Sequence, residues 1–73
     1  MKRIEVEKKL HAAGVTMGDR IIITERFSRG RTGQRIYTFW GFGSHSLHLQ
    51  DNGKSYSIRL NEIENVEPGE VQS

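Results

Sequence analysis

Beyond Gly14 the apolar residues stop following a helical period and return at every second position, in short runs broken by glycine, asparagine, aspartate or proline. A period of two places alternate side chains on one face of an extended chain, so these runs read as strands. Five can be drawn: residues 21–27, 34–42, 45–50, 55–60 and 63–66. The first is rich in β-branched residues (Ile21, Ile22, Ile23, Thr24), which suit a pleated surface. In the third, Leu47 and Leu49 alternate with Ser46, His48 and Gln50, and in the fourth Tyr56, Ile58 and Leu60 alternate with Ser55, Ser57 and Arg59. The breaks are turn-like. Residues 28–33 hold Gly30 and Gly33, Asp51-Asn52-Gly53 has hairpin-closing chemistry, Asn61-Glu62 suits one helical turn, and Pro68-Gly69 stops the last strand.

Five short strands in ~50 residues cannot fill two sheets. A bent sheet curling on itself hides its edges and encloses a small core. The expected fold is therefore mainly β: a small five-stranded barrel over about residues 19–67, with a mobile tail at 68–73. Ahead of it, residues 2–13 are expected to form a short helix. Val6, Leu10 and Ala13 share one face, Glu5 precedes Lys9 by four positions, and Gly14 supplies a stop. A strand over residues 3–7, with Ile4 and Val6 alternating against charge, is the competing reading.

The second strand is apolar on both faces, with Ile36, Thr38, Trp40 and Phe42 on one and Tyr37 and Phe39 on the other. Such a strand is central, or one of its faces meets a partner. Gly41 and Gly43 flank Phe42 and mark a bend or bulge.

The chain has 73 residues and no cysteine. A single domain of this length buries only about 60% of its unfolded surface. That excludes the two-lobed clefts of large cofactor enzymes, and the missing thiols exclude disulfides, zinc–thiolate sites and thiol nucleophiles. No run approaches the roughly 18 apolar residues of a membrane span. The basic residues near Met1 are followed by no apolar block, so no secretory signal is read and a cytoplasmic location is expected.

Net charge is only +2, from eleven basic and nine acidic side chains, yet the signs are segregated. Arg26, Arg29, Arg31 and Arg35 fall within ten residues that contain no acid. Guanidinium groups present a planar fork suited to phosphate, and such clusters are the electrostatic footprint of nucleic-acid binding. Tyr37, Phe39 and Trp40 follow directly, and exposed aromatics beside a basic patch stack bases. After Arg59 come Glu62, Glu64, Glu67 and Glu70 with no basic residue. These acids either meet the arginine loop of a neighbouring copy, giving head-to-tail rings, or are simply solvated.

The order of helix, five strands, bent second strand, one-turn connection and short last strand resembles the Sm/Lsm family, and within it the bacterial RNA chaperone Hfq. The likeness is carried by the stretch from Trp40 to Asp51, with Leu47, Leu49 and Asp51 matching a Leu-x-Leu-x-Asp ending, and by Ile58-Arg59 followed by spaced aliphatics and Pro68. YolD-like and other SH3-like barrels share a similar rhythm. Differences from the Sm pattern include Leu60 in place of glycine after the arginine, and Phe42 or Gly43 in place of an aspartate. The resemblance implies an oligomeric barrel in which His45 stacks on a base and Arg59, with Asn61, lines a nucleotide pocket.

No enzyme is expected. Ser44-His45-Ser46 sets hydroxyls beside an imidazole, but neighbours along a strand face apart, and a nucleophile needs its base in reach. His45 and His48 are three apart and likewise unsuited to a shared metal. Neither a metal nor a cofactor is expected. The leading expectation is a small regulatory nucleic-acid-binding barrel, probing RNA rather than DNA because the one short helix is unsuited to a major groove. The alternative is a protein-interaction module, of the size of a phage or mobile-element inhibitor that docks on a host protein. A small-nucleotide binder is a third option.

Overall fold

The computed structural model describes residues 1–69, and its elements follow the order α1 (Arg3–Ala12), β1 (Arg20–Arg26), β2 (Thr32–Phe42), β3 (Ser46–Asp51), β4 (Lys54–Arg59) and β5 (Ile63–Pro68). Single 3₁₀ turns at Ser28–Gly30 and Leu60–Glu62 join β1 to β2 and β4 to β5. The mainly β composition, the five strands and the short leading helix are those expected from the sequence.

Helix α1 stops where Gly14 takes φ +74°. The Gly14 N–H then donates to His11 O and the Val15 N–H to Leu10 O, the paired bonds of a left-handed C-terminal cap. Val6 and Leu10 drive one face into the core, while Ala13, expected on that face, is exposed. At the other end the Lys2 N–H donates to Glu5 Oε1 at 2.9 Å, satisfying a backbone donor the helix leaves free.

All strand pairs are antiparallel, in the spatial order β4-β3-β2-β1-β5. The β3–β4 connection is the two-residue turn read from the sequence, with Asn52 and Gly53 both at positive φ. One face of the sheet meets α1 across a core built from Ile21 and Ile23 of β1, Tyr37 and Phe39 of β2, Leu47 and Leu49 of β3, Ile58 of β4, Ile63 and Val66 of β5, and Leu60.

Two features differ from expectation. The sheet does not close: β4 and β5 are its two edges, and no ladder joins them among the described residues. The 3₁₀ turn explains this. It drops Leu60 and then Ile63 into the core, so the chain crosses from one edge to the other without laying β5 beside β4. The Leu60 N–H donates instead to His45 O at 3.0 Å. The sheet is thus a bent, open relative of the barrel the strand count suggested.

The second difference lies in β2. Phe39 pairs with Leu49, but the next pair is Gly41 with His48, so Trp40 is an extra residue. This bulge uses Gly41 at φ +123°, a conformation open to glycine and strained for other residues. The extra residue resets the alternation. Phe42, expected beside Ile36 and Trp40, turns inward instead, packs against the core and meets Phe39 edge-on at 5.6 Å. Tyr37 and Phe39 are buried at 5% and 7% exposure, whereas Ile36 and Trp40 stand out at 51% and 45%.

The first two residues read as tail have backbone partners. Pro68 pairs with Ile21 in β5, and the Gly69 N–H donates to Arg20 O at 2.8 Å. The rest of the expected tail, including Glu70, lies outside the described residues.

Candidate nucleic-acid interface

Where β4 ends, its last residue Arg59 pairs with Ser46, the first residue of β3. That pairing sets the β2–β3 turn, with Ser44 and His45, beside the exit of β4. The His45 carbonyl holds the turn there by accepting the Leu60 N–H. One residue on, the 3₁₀ turn presents Asn61. The start of α1 is drawn to the same place, because the Met1 ammonium donates to Leu60 O at 2.8 Å and Ile63 O at 2.7 Å. Three segments distant in sequence therefore surround one open cleft of ≈ 730 Å³, a size suited to a small ligand or a single nucleotide.

Its walls carry Lys2, Arg3 and Arg59, the imidazole of His45, and the polar side chains of Ser44, Ser46, Ser57 and Asn61. No aspartate or glutamate lines it. Ser57 Oγ donates to Ser46 Oγ at 3.1 Å. The Arg3 guanidinium lies 5.0 Å from the centre of the Phe42 ring, and its Nε donates to Glu7 Oε2 at 3.1 Å. This guanidinium is therefore shared with a carboxylate of its own helix. Lys2 and Arg59 stand here with hydroxyls and an imidazole, groups that can donate to the oxygens of an anion such as phosphate.

His45, Arg59 and Asn61, singled out from the resemblance, thus converge on one cleft. The four arginines of the basic run do not join them, and they do not form one patch either. Arg26 makes a two-pronged ion pair with Glu64: its Nη2 reaches Oε1 at 2.9 Å and its Nε reaches Oε2 at 3.2 Å. The bonds raise the Arg26 pKa and hold the Glu64 carboxyl below the usual carboxylate range, hydrogen bonding first and charge second. One arginine expected to face phosphate is therefore held by its own chain, and one acid left open for a neighbouring copy is already engaged. Arg35 sits on β2 opposite Ile23. Its pKa is raised chiefly by the Tyr37 hydroxyl, with Glu25 adding charge, so it belongs to the Tyr37 end of the sheet. Only Arg29 and Arg31 remain at the hairpin tip, without an ion-pair partner among the described residues. Arg29 takes the left-handed conformation there, with φ 63°.

The aromatic part of the basic-run reading is also corrected. Tyr37 and Phe39 are core residues and offer no free ring, whereas Trp40 does. Lys2, Arg3 and the serines were not foreseen as site residues. Nothing local marks them; the tie between Met1 and the 3₁₀ turn brings the helix start to the cleft.

No family model, curated protein or solved structure matches the chain, so the site is read from its own geometry. No described helix is long and apolar enough to cross a membrane.

Proposed function

We propose that this protein is a small regulatory nucleic-acid-binding module that takes single-stranded RNA, with the cleft of His45, Arg59 and Asn61 as its primary contact. The observation that carries the reading is the convergence of three basic side chains, an imidazole and hydroxyls on one cleft with no carboxylate among its lining. In this reading Arg59 and Lys2 each pair with a backbone phosphate, His45 stacks on or hydrogen-bonds a base, and Asn61 supplies an amide able to read a base edge. The roles of His45, Arg59 and Asn61 are those that the Sm/Lsm resemblance implies; that of Lys2 comes from the cleft alone. RNA is favoured over duplex DNA because α1, at ten residues, spends its apolar face on the core and its start on the cleft. Among the described residues this leaves no free helix to lay in a major groove. The hairpin tip with Arg29 and Arg31 adds a second, weaker charge contact.

Self-assembly belongs to the same proposal. Among the described residues, edge strands β4 and β5 each have one side outside the β ladders, with Met1 occupying Ile63 O on β5, and such edges are a template for pairing between copies. Native mass with and without nuclease tests both parts. The reading expects an oligomer that carries nucleic acid until nuclease removes it, and affinity for short RNA that falls steeply with salt. Absence of binding to any RNA or DNA at 50 mM salt refutes it.

A second reading has its own observation. Ile36 stands half-exposed on the outer sheet face opposite Ile22, and Phe27 is exposed at the hairpin. An apolar patch there suits docking on a host protein. A single stoichiometric protein partner that survives nuclease favours this alternative.

A further inference from the structure

The bulge in β2 does more than turn Phe42 inward. It leaves Trp40 as an exposed ring on the outer sheet face, directly before Gly41, which pairs with His48. His48 in turn pairs with Ser57, and Ser46 pairs with Arg59. On this face the sheet therefore sets a continuous row: Arg59 and Ser46 at the cleft, then Ser57 and His48, then Trp40. The row is packed closely. A Cβ placed on Gly43 would lie 2.8 Å from both His48 Nε2 and Ser46 Oγ, so the glycine lets the imidazole fold down beside the cleft wall. Ser46 and His48, two residues apart in one strand, are about 7 Å apart along the sheet. That is a stride comparable to one nucleotide of an extended strand.

We infer that Trp40 is a second base-stacking subsite, so that the protein holds two consecutive nucleotides of single-stranded RNA, the first in the cleft and the second on the indole. The Ser46–Ser57 hydroxyl pair and the His48 imidazole lie between them, where the linking phosphate passes, and supply donors to its oxygens. The inference rests on the proposed function and extends it: it gives the ligand a minimum length and a direction across the sheet. An indole face is sequence-tolerant, because every base presents a π surface. Any base selectivity therefore belongs to the cleft end of the path.

Trp40 is the only tryptophan in the chain, so its fluorescence reports this subsite alone. The experiment titrates uridine monophosphate, the dinucleotide UpU and a uridine hexamer into the full chain, following indole emission and, separately, affinity by calorimetry. Emission should be quenched by the dinucleotide and hexamer and left nearly unchanged by saturating mononucleotide. Trp40→Ala should weaken hexamer binding by about 5- to 150-fold, the range of one base–aromatic stack, with mononucleotide affinity kept. Trp40→Phe should recover part of the loss. Circular dichroism of each variant checks the fold, which an exposed position should preserve. If the hexamer binds, and Arg59→Ala weakens it while Trp40→Ala and the indole emission do not respond, the Trp40 subsite is wrong and the cleft reading stands. If no oligonucleotide binds the unaltered protein, both fall together.

Discussion

Replacing Arg59 by alanine removes one of the two cationic side chains that this reading sets against phosphate, the other being Lys2; Arg3, the third in the cleft wall, is already paired with Glu7. Each phosphate that a single strand loses to a protein cation contributes about 0.7 to the slope of log affinity against log salt. With Arg59 and Lys2 each neutralising one phosphate, the cleft contributes a slope near −1.4, so a fourfold rise in salt, from 50 to 200 mM, weakens binding about sevenfold. Without Arg59 the slope falls to about −0.7 and the same rise weakens binding only about 2.6-fold. The difference in slope is the sharper quantity, because contacts at the hairpin tip add equally to both proteins. Fluorescence anisotropy of a labelled uridine hexamer, measured at five or six salt concentrations, reads it directly. Arg26→Gln serves as the internal comparison. Arg26 is held by Glu64, so its loss should leave the slope within about 0.2 of the parent. An unchanged slope for Arg59→Ala, or a larger change for Arg26→Gln, refutes the assignment of phosphate contact to the cleft.

Other consequences follow from the backbone and the ion pair. Arg29→Gly should raise stability by up to about 1 kcal/mol, since a left-handed residue with a Cβ is strained by about that much or more. Thermal melting checks it, and a lowered midpoint would contradict the hairpin geometry. Gly41→Ala should destabilise by about 1–3 kcal/mol through backbone strain, because a Cβ there meets no atom within 4 Å; an unchanged melting midpoint would mean that the bulge lies elsewhere. Glu64 has a depressed pKa, so its pair with Arg26 aids folding fully above the ordinary glutamate range and loses that aid as pH falls through the depressed value. An NMR titration should put the Glu64 carboxyl midpoint below about 4.3, the ordinary glutamate value, and Arg26→Gln should return it there. A midpoint already ordinary in the parent would break the pair. Because both partners are exposed, high salt should shrink the shift.

The parts legible in the sequence were those set by neighbours along the chain. Alternation gave the strands, Asn52-Gly53 the β3–β4 turn, and Gly14 the end of α1. Gly41 marks the bulge, but strict alternation carried through it misses the change of phase. Alternation alone puts Phe42 outside, whereas one extra residue at Trp40 turns it in. The parts that were not legible depend on pairing register between distant segments. Arg26 meets Glu64 because β5 lies against β1 with a register shift between Thr24 and Glu25, and no local signal encodes that shift. Closure failed for a related reason. Alternation predicts strands, whereas whether the first and last edges meet depends on how far the Leu60–Glu62 turn carries the chain across the core. The cleft was half visible. His45, Arg59 and Asn61 came from a motif-like pattern in the second half of the chain, while Lys2 and Arg3 reach the site only through the long-range bonds of the Met1 ammonium.

The central claim is that the cleft between the start of α1, the β2–β3 turn and the exit of β4 receives RNA. Backbone amide NMR during titration with a short uridine oligonucleotide tests it residue by residue. The account predicts the largest shifts at Arg3, His45, Ser46, Arg59 and Asn61, with Ile22 and Thr24 on β1 nearly still. Shifts centred on Ile22 and Ile36, or confined to the Arg29–Arg31 hairpin tip with the cleft unmoved, would contradict it.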